Sequence, residues 1–265
     1  MFCEVFILAI APQHNLIVYL PITYANTNTQ RRFDMTNNSF NSASNNSGLV
    51  RIETPRLILR DFVPKDVDHI YKMTQHPDFF YHCFDGSYEK AKTFVDHAIK
   101  MQKPDPKTGK REDYLLAVVR KDTGELVGHA GADRVPYGNP EYQKKIKFDD
   151  GVTDEQKRLL GVSTHQIKYF IDCNHQGGGI GSEALINIAD FAYKHIGVES
   201  ICSTQHPDNE IALHNARKKI GFVPLGITTM KTTKGNDPRI VHIVTPDQFY
   251  ACRKHDKFSM LKPDN

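Results

Sequence analysis

Gln166–Gly197 reads QIKYFIDCNHQGGGIGSEALINIADFAYKHIG. Its first part, Gln166–Cys173, is short and apolar-rich, with Ile167, Tyr169 and Ile171 alternating as on a half-covered strand. Gly177, Gly178, Gly179 and Gly181 follow. After them Ile180, Ala184, Leu185, Ile188, Ala189, Ala192 and Ile196 recur at helical spacing, and Gly197 stands where a C-terminal cap belongs. The stretch predicts a strand, a glycine turn and an amphipathic helix. A helix N-terminus leaves backbone N–H groups unpaired and carries partial positive charge. Glycines let an anion approach that backbone closely, so the turn predicts a phosphate site. A turn that only needed one left-handed residue would not need four glycines.

Three phosphate turns compete. A P-loop needs Lys and then Ser or Thr after its last glycine, whereas Ser182 and Glu183 follow Gly181 here. A dinucleotide fingerprint is met by Gly179, Gly181 and Ala184 as G-x-G-x-x-A. The pattern Q-x-x-G-x-G is met by Gln176, Gly179 and Gly181, and continues as Ser182–Glu183–Ala184–Leu185. In that continuation the turn resembles the acyl-CoA pyrophosphate loop of the GCN5-related N-acetyltransferases, and most closely the branch that modifies ribosomal-protein N-termini.

Upstream, Arg51–Phe62 reads RIETPRLILRDF, a strand with Leu57 and Leu59 on one side. Thr54, Arg56, Leu57, Leu59 and Arg60 form T-x-R-L-x-L-R, which is similar to the opening of that same branch. Pro64 suits the first turn of a helix carrying Val67, Ile70 and Tyr71. A second helix is expected from Ser87 to about Gln102, and strands at Tyr114–Arg120 and Glu125–Val135 meet at Asp122–Thr123–Gly124. Downstream lie a strand at Ser200–Gln205, a helix from about Asn209 to Ile220 closed by Gly221–Phe222, and a last strand pair, Phe222–Met230 and Ile240–Thr245, turning at Lys234–Asp237. The order is that of an α+β acyl-CoA N-acyltransferase: a mixed central sheet flanked by helices. A dinucleotide fold would place its glycine turn in the first βα unit and an acidic residue after the next strand, which here ends at Thr204–Gln205.

Composition bounds the alternatives. With 34 basic and 31 acidic residues the net charge of +3 gives no electrostatic footprint for nucleic acid. Five scattered cysteines and no C-x-x-C fit free thiols and a cytoplasmic setting; the 13 histidines show no metal-ligand spacing. Residues 2–24 are apolar but broken by Pro12–Asn15, short of a membrane span and unlike a secretory signal. Asn26–Gly48 is rich in Asn, Ser and Thr, too polar to bury a core. The expected organisation is a poorly ordered segment over 1–48, with a functional start near Met35, and one catalytic domain over 49–265.

The resemblance implies transfer of an acetyl group from acetyl-CoA to a primary amine, on a protein N-terminus or a small molecule, by direct attack and without a metal. It places the cofactor against Ile171, Cys173, Gln176, Gly177, Gly178, Gly179, Ile180, Gly181 and Ser182, with the pantetheine arm along the Tyr169–Cys173 backbone. Asn209, opening the last helix, matches the asparagine that contacts this arm in relatives; helix capping is its plain alternative. Two departures follow. Relatives read E-I-G-Y-W-I where this chain reads Gln166–Ile167–Lys168–Tyr169–Phe170–Ile171, so the usual glutamate is Gln166. The tyrosine that serves as acid in some relatives is Arg217. Asp133 is the leading base candidate, with His165 and His129 behind it and Gln166 kept as the family position. The segment 136–163 is a long insertion with a capping box at Thr153–Gln156; it is expected to shape the acceptor site. The alternatives are a non-catalytic acyl-CoA-binding module and, further off, a dinucleotide oxidoreductase.

Overall fold

The apolar alternation at both ends of the domain becomes one nine-stranded sheet. The computed structural model describes residues 49–77, 79, 84–163, 165–232 and 235–253; the expected start near Met35 and the whole 1–48 segment lie outside them. The strands are β1 (Arg51–Glu53), β2 (Leu57–Asp61), β3 (Tyr114–Arg120), β4 (Leu126–Arg134), β5 (Lys147–Phe148), β6 (His165–Ile171), β7 (Ile201–Gln205), β8 (Val223–Thr232) and β9 (Gly235–Val244). Their order across the sheet is β1-β2-β3-β4-β6-β7-β9-β8-β5. Neighbours are antiparallel except β6 and β7. This mixed order is not the parallel sheet a dinucleotide fold requires.

Helices α1 (Val67–Thr74) and α2 (Tyr88–Lys100) cover one face of β2–β4. Ser87 caps α2 by accepting the Lys90 N–H, as its place before the apolar stripe predicts. Helix α3 (Pro140–Gln143), β5 and α4 (Asp154–Val162) build the insertion. Helix α5 (Ile180–Phe191), α6 (Glu210–Asn215) and the C-terminal α7 (Pro246–Arg253) lie on the opposite face. The sequence reading did not anticipate α7, whose Phe249 is fully buried against Tyr193. Both α5 and α6 run on into π turns ending at left-handed Gly197 (φ 77) and Gly221 (φ 84), the caps expected of them. A turn closed i to i+5 takes in one more residue than an α turn. The turn Ala216–Ile220 therefore takes in one residue more before Gly221 than an α turn would.

Three expectations are corrected. Arg51–Phe62 is two strands, because Thr54 Oγ1 and the Leu57 N–H bond each other and turn the chain. The last strand pair is longer than expected: Asn236 and Asp237 are ladder residues paired with Lys231 and Met230. The glycine-turn strand ends at Ile171: the Asp172 N–H makes one last bond to the Val127 carbonyl of β4, and Cys173–His175 then coil into a 3-10 turn.

The insertion is a packed layer. Its capping box at Thr153–Gln156 starts α4 as expected. Val135, Ile146 and the fully buried Leu160 pack on Cys202, Leu225, Val241 and Ile243. Polar ties fasten it: Ser200 Oγ donates to the Leu159 carbonyl (2.8 Å), and the Asp149 N–H donates to the Leu225 carbonyl (3.0 Å). Cutting it out would strip the cover from β7, β8 and β9.

Candidate active site

Strands β6 and β7 part company almost at once. Only His165↔Ile201 and Gln166↔Cys202 are in register. From there β6 stays with β4 to the end, Gly128↔Ile171, while β7 stays with β9. Just past the fork, Ser203 Oγ donates to the Ile167 carbonyl (3.1 Å). Beyond it no described strand pairs with the edge of Lys168–Ile171 that faces β7. The fork opens toward the glycine turn.

In that turn Gly177, Gly178 and Gly179 all have positive φ (84°, 44° and 78°), a conformation that side chains disfavour. A Cβ on Gly177 or Gly178 would meet nothing within 4 Å, so backbone shape rather than crowding demands glycine, and the outer surface of the turn is open. Gly181 is glycine for the other reason: a Cβ there would lie 2.8 Å from Tyr169 Cε2. Gln176 Nε2 donates to the Ile171 carbonyl (3.1 Å) and closes the turn onto the end of β6. Ile180 begins α5 and packs on the core. Ser182 Oγ donates to Asn215 Oδ1 (3.1 Å), and Asn215 Nδ2 donates to the Tyr169 hydroxyl (2.9 Å), tying α5, α6 and β6 together. Such a surface fits a pyrophosphate at a helix N-terminus. Of the positions expected to meet the cofactor, Cys173 lies in the 3-10 turn after β6, and the Ile171 carbonyl accepts from Gln176 Nε2. Asn209 caps α6 with its oxygen on the Ala212 N–H (3.0 Å), the plain alternative weighed for it.

On the other face, α1 and α2 cover β2–β4 and the insertion covers β7–β9. The strip of sheet between them carries Asp133, Gln166, Lys168 and Thr204. Asp133 and Gln166 are direct cross-strand partners. Side chains directly opposite on one face stand about 5 Å apart at Cβ. The carboxylate that relatives carry at position 166 is thus present one strand over. Lys168, where relatives have glycine, is ion-paired with Asp133; both side chains are about four-fifths buried, at 18% and 20% exposed. The second carboxylate oxygen of Asp133 is buried and has no hydrogen-bond partner among the described residues. Gln166 donates from Nε2 to Thr204 Oγ1 (3.2 Å), bridging β6 and β7 at the fork.

Neighbouring groups are strongly shifted. Burial and then the Asp133 charge push Asp113 up to about 6, although its Oδ1 accepts the Arg134 N–H (2.8 Å). Burial pushes His97 on α2 down to about 4 and His129 down to about 3, with the Lys168 charge adding to both. His129 stacks on Phe170, with ring centroids 5.9 Å apart, and packs against Phe94. His165 is buried, is shifted down by that burial, and bonds the Glu112 carbonyl through Nε2 (2.8 Å). Of the three histidine and aspartate candidates, only Asp133 lies on the open strip.

In the sequence Thr54, Arg56 and Glu183 stand only as motif residues. The structure joins them. Glu183, 6% exposed in the first turn of α5, accepts from Thr54 Oγ1 (2.5 Å), the Arg56 N–H (2.9 Å) and Arg56 Nε (2.6 Å). Pairing an arginine with a buried glutamate across two family-like motifs was the available signal.

Comparison with known proteins agrees with this geometry. Residues 56–223, more than half of the chain, match the family model described as an acetyltransferase (GNAT) domain. An uncharacterized N-acetyltransferase of Bacillus subtilis (strain 168), YnaD, is 26% identical over 190 residues, 71% of this chain and 91% of that one. An N-acetyltransferase 9-like protein of Caenorhabditis elegans is 25% identical over 182 residues, 68% of this chain and 81% of its own. Among solved structures, the ribosomal L7/L12 alpha-N-protein acetyltransferase RimL in complex with coenzyme A shares the fold at a TM-score of 0.54 and 15% identity, covering 75% of this chain and 99% of its own. No helix among the described residues is long and apolar enough to cross a membrane.

Proposed function

The chain belongs to the acetyltransferase (GNAT) family and is an acetyl-CoA-dependent acyltransferase, and from that premise we propose that it acetylates a primary amine which reaches the thioester across the Asp133–Lys168 strip. The acceptor is a protein N-terminus or a small amine. The observation that carries this reading is the fork between β6 and β7, with the glycine turn at its open end and the Asp133 carboxylate opposite Gln166 on the acceptor face.

Gly177–Ser182 hold the pyrophosphate, and the edge of β6 that faces the fork holds the pantetheine arm. Acetyl-CoA supplies the thioester that the amine attacks. Backbone N–H groups of β6 stabilise the oxyanion that develops on its carbonyl oxygen. Asp133 takes the proton lost by the attacking nitrogen as the C–N bond forms, and Lys168 keeps that carboxylate turned toward the strip; the thioester C–S bond then breaks and CoA leaves as its thiolate, which takes up a proton from solvent. Gln166, which cannot accept a proton, holds the fork closed at its base through Thr204. The layer formed by 136–163 is the wall that selects the acceptor.

The test is calorimetric titration of the full chain with acetyl-CoA, with NAD as control, followed by free-CoA release across a panel of amines. Acetyl-CoA binds alone, Gly179→Val abolishes binding, and Asp133→Asn lowers turnover at least about tenfold while leaving acetyl-CoA affinity in place. Binding of NAD instead, or unchanged turnover in Asp133→Asn, would sink the cofactor assignment or the base assignment respectively.

A further inference from the structure

We propose that Arg56 is a cofactor-contacting residue, the cation of the pyrophosphate site, held in place by Glu183 and Gly178. The proposal rests on the reading of Gly177–Ser182 as the acetyl-CoA turn. It adds a residue from the opposite end of the domain, 122 positions from Gly178.

The placement is tightly specified. Arg56 Nε donates to Glu183 Oε2 (2.6 Å) and Nη1 donates to the Gly178 carbonyl (2.6 Å). The third nitrogen, Nη2, stands 3.4 Å from the point a Cβ on Gly179 would occupy. The guanidinium therefore lies against the turn itself. Its side chain is 43% exposed, whereas Glu183 behind it is buried. A planar guanidinium anchored in this way holds its positive charge in a fixed position against the turn, where a phosphate would meet it.

Charge balance requires a cation here. A carboxylate in the first turn of a helix is favourable to the helix dipole, but it repels a phosphate bound at the same N-terminus. Glu183 is such a carboxylate. Buried and unpaired it would be costly in itself. Arg56 neutralises it on the inner side and meets the incoming diphosphate on the outer side. The other donors that the described residues 176–182 supply are backbone N–H groups, the Gln176 amide and the Ser182 hydroxyl, none of which carries a full charge.

Dissociation constants of the full-length protein for CoA and for pantetheine, which lacks every phosphate, separate contact from bracing. A charge-assisted hydrogen bond lost from the site costs about ten- to hundred-fold in affinity. Arg56→Gln should weaken CoA by that factor and pantetheine by less than about twofold, and the double variant Arg56→Gln/Glu183→Gln should stay weak for CoA. Equal loss for the two ligands would make Arg56 a mere brace of the turn and overturn the proposal. Full recovery in the double variant would reduce it to a neutraliser of Glu183 and overturn it equally. Should Arg56→Gln unfold, Arg56→Lys carries the same comparison with a smaller loss for CoA alone. A wild-type protein that binds neither ligand would fail the cofactor reading itself, an outcome distinct from both.

Discussion

Asp113 offers a quantitative handle on the acceptor face, through stability rather than turnover. It sits just before β3, and its carboxyl is pushed from 3.8 up to about 6, first by burial and second by Asp133. A raised acid binds its proton more tightly folded than unfolded. Its contribution to stability is therefore complete below about pH 4 and is lost as pH rises through 6. Two pH units correspond to about 3 kcal/mol, so at pH 8 the ionised carboxyl burdens the fold by about that amount. Asn at this position keeps an oxygen for the Arg134 N–H, which Asp113 holds at 2.8 Å, and removes the charge. Urea denaturation of wild type and Asp113→Asn, compared at each pH from 4 to 8, isolates the effect because all other titrations cancel in the difference. The variant should match wild type near pH 4 and exceed it by about 2–3 kcal/mol at pH 8. A difference that does not change with pH, or a variant less stable at pH 8, would refute the account of Asp113 as a buried carboxyl facing a second one. Adding Asp133→Asn to wild-type Asp113 removes the second cause and should move the transition to lower pH.

His129 titrates with the opposite sense: pushed down to about 3, it loses stability for the fold as pH falls below about 6.5. Replacing it with Phe, which keeps the stack on Phe170, should flatten acid unfolding by about one proton, or about 1.4 kcal/mol per pH unit; an unchanged slope in urea midpoints would contradict this. Gly181→Ala places a methyl 2.8 Å from Tyr169 Cε2, so α5 must retreat from β6. A loss of about 1–3 kcal/mol and weaker CoA binding are expected; a neutral melting temperature would show that the contact yields easily.

The elements legible in the sequence are those whose cause is local. Three consecutive glycines encode positive φ directly, Gly197 and Gly221 encode helix ends, and Ser87 and Thr153 encode helix starts, each through one side chain or its absence. What escaped the reading depends on partners far along the chain. Lys147–Phe148 is a strand only because it pairs with Gly226–Ile227, so the insertion reads as loop until β8 is beside it. Cys173 looks like a continuation of its strand, but the Asp172 N–H on the Val127 carbonyl is the last bond to β4, and Cys173–His175 coil into a 3-10 turn. Arg56 and Glu183 were both legible as motif residues, but the bond between them spans 127 positions.

The proposed base shows the same division most sharply. Read along the strand, Gln166 is a lost glutamate and Lys168 an unexplained lysine in place of glycine. Read across the sheet, position 166 faces Asp133, and Lys168 reaches the same aspartate. Gln166 and Lys168 are then two parts of one rearrangement around Asp133. A carboxylate on β4 can do the work of one on β6 only if something holds it over the strip, and glycine at 168 could not. Lysine can, because its long stem lies along β6 and its ammonium meets the carboxylate from the adjacent strand. Restoring Gln166→Glu without changing Lys168 would therefore set two carboxylates against one ammonium, and the neutral amide that bonds Thr204 at the fork would be replaced by a second buried charge.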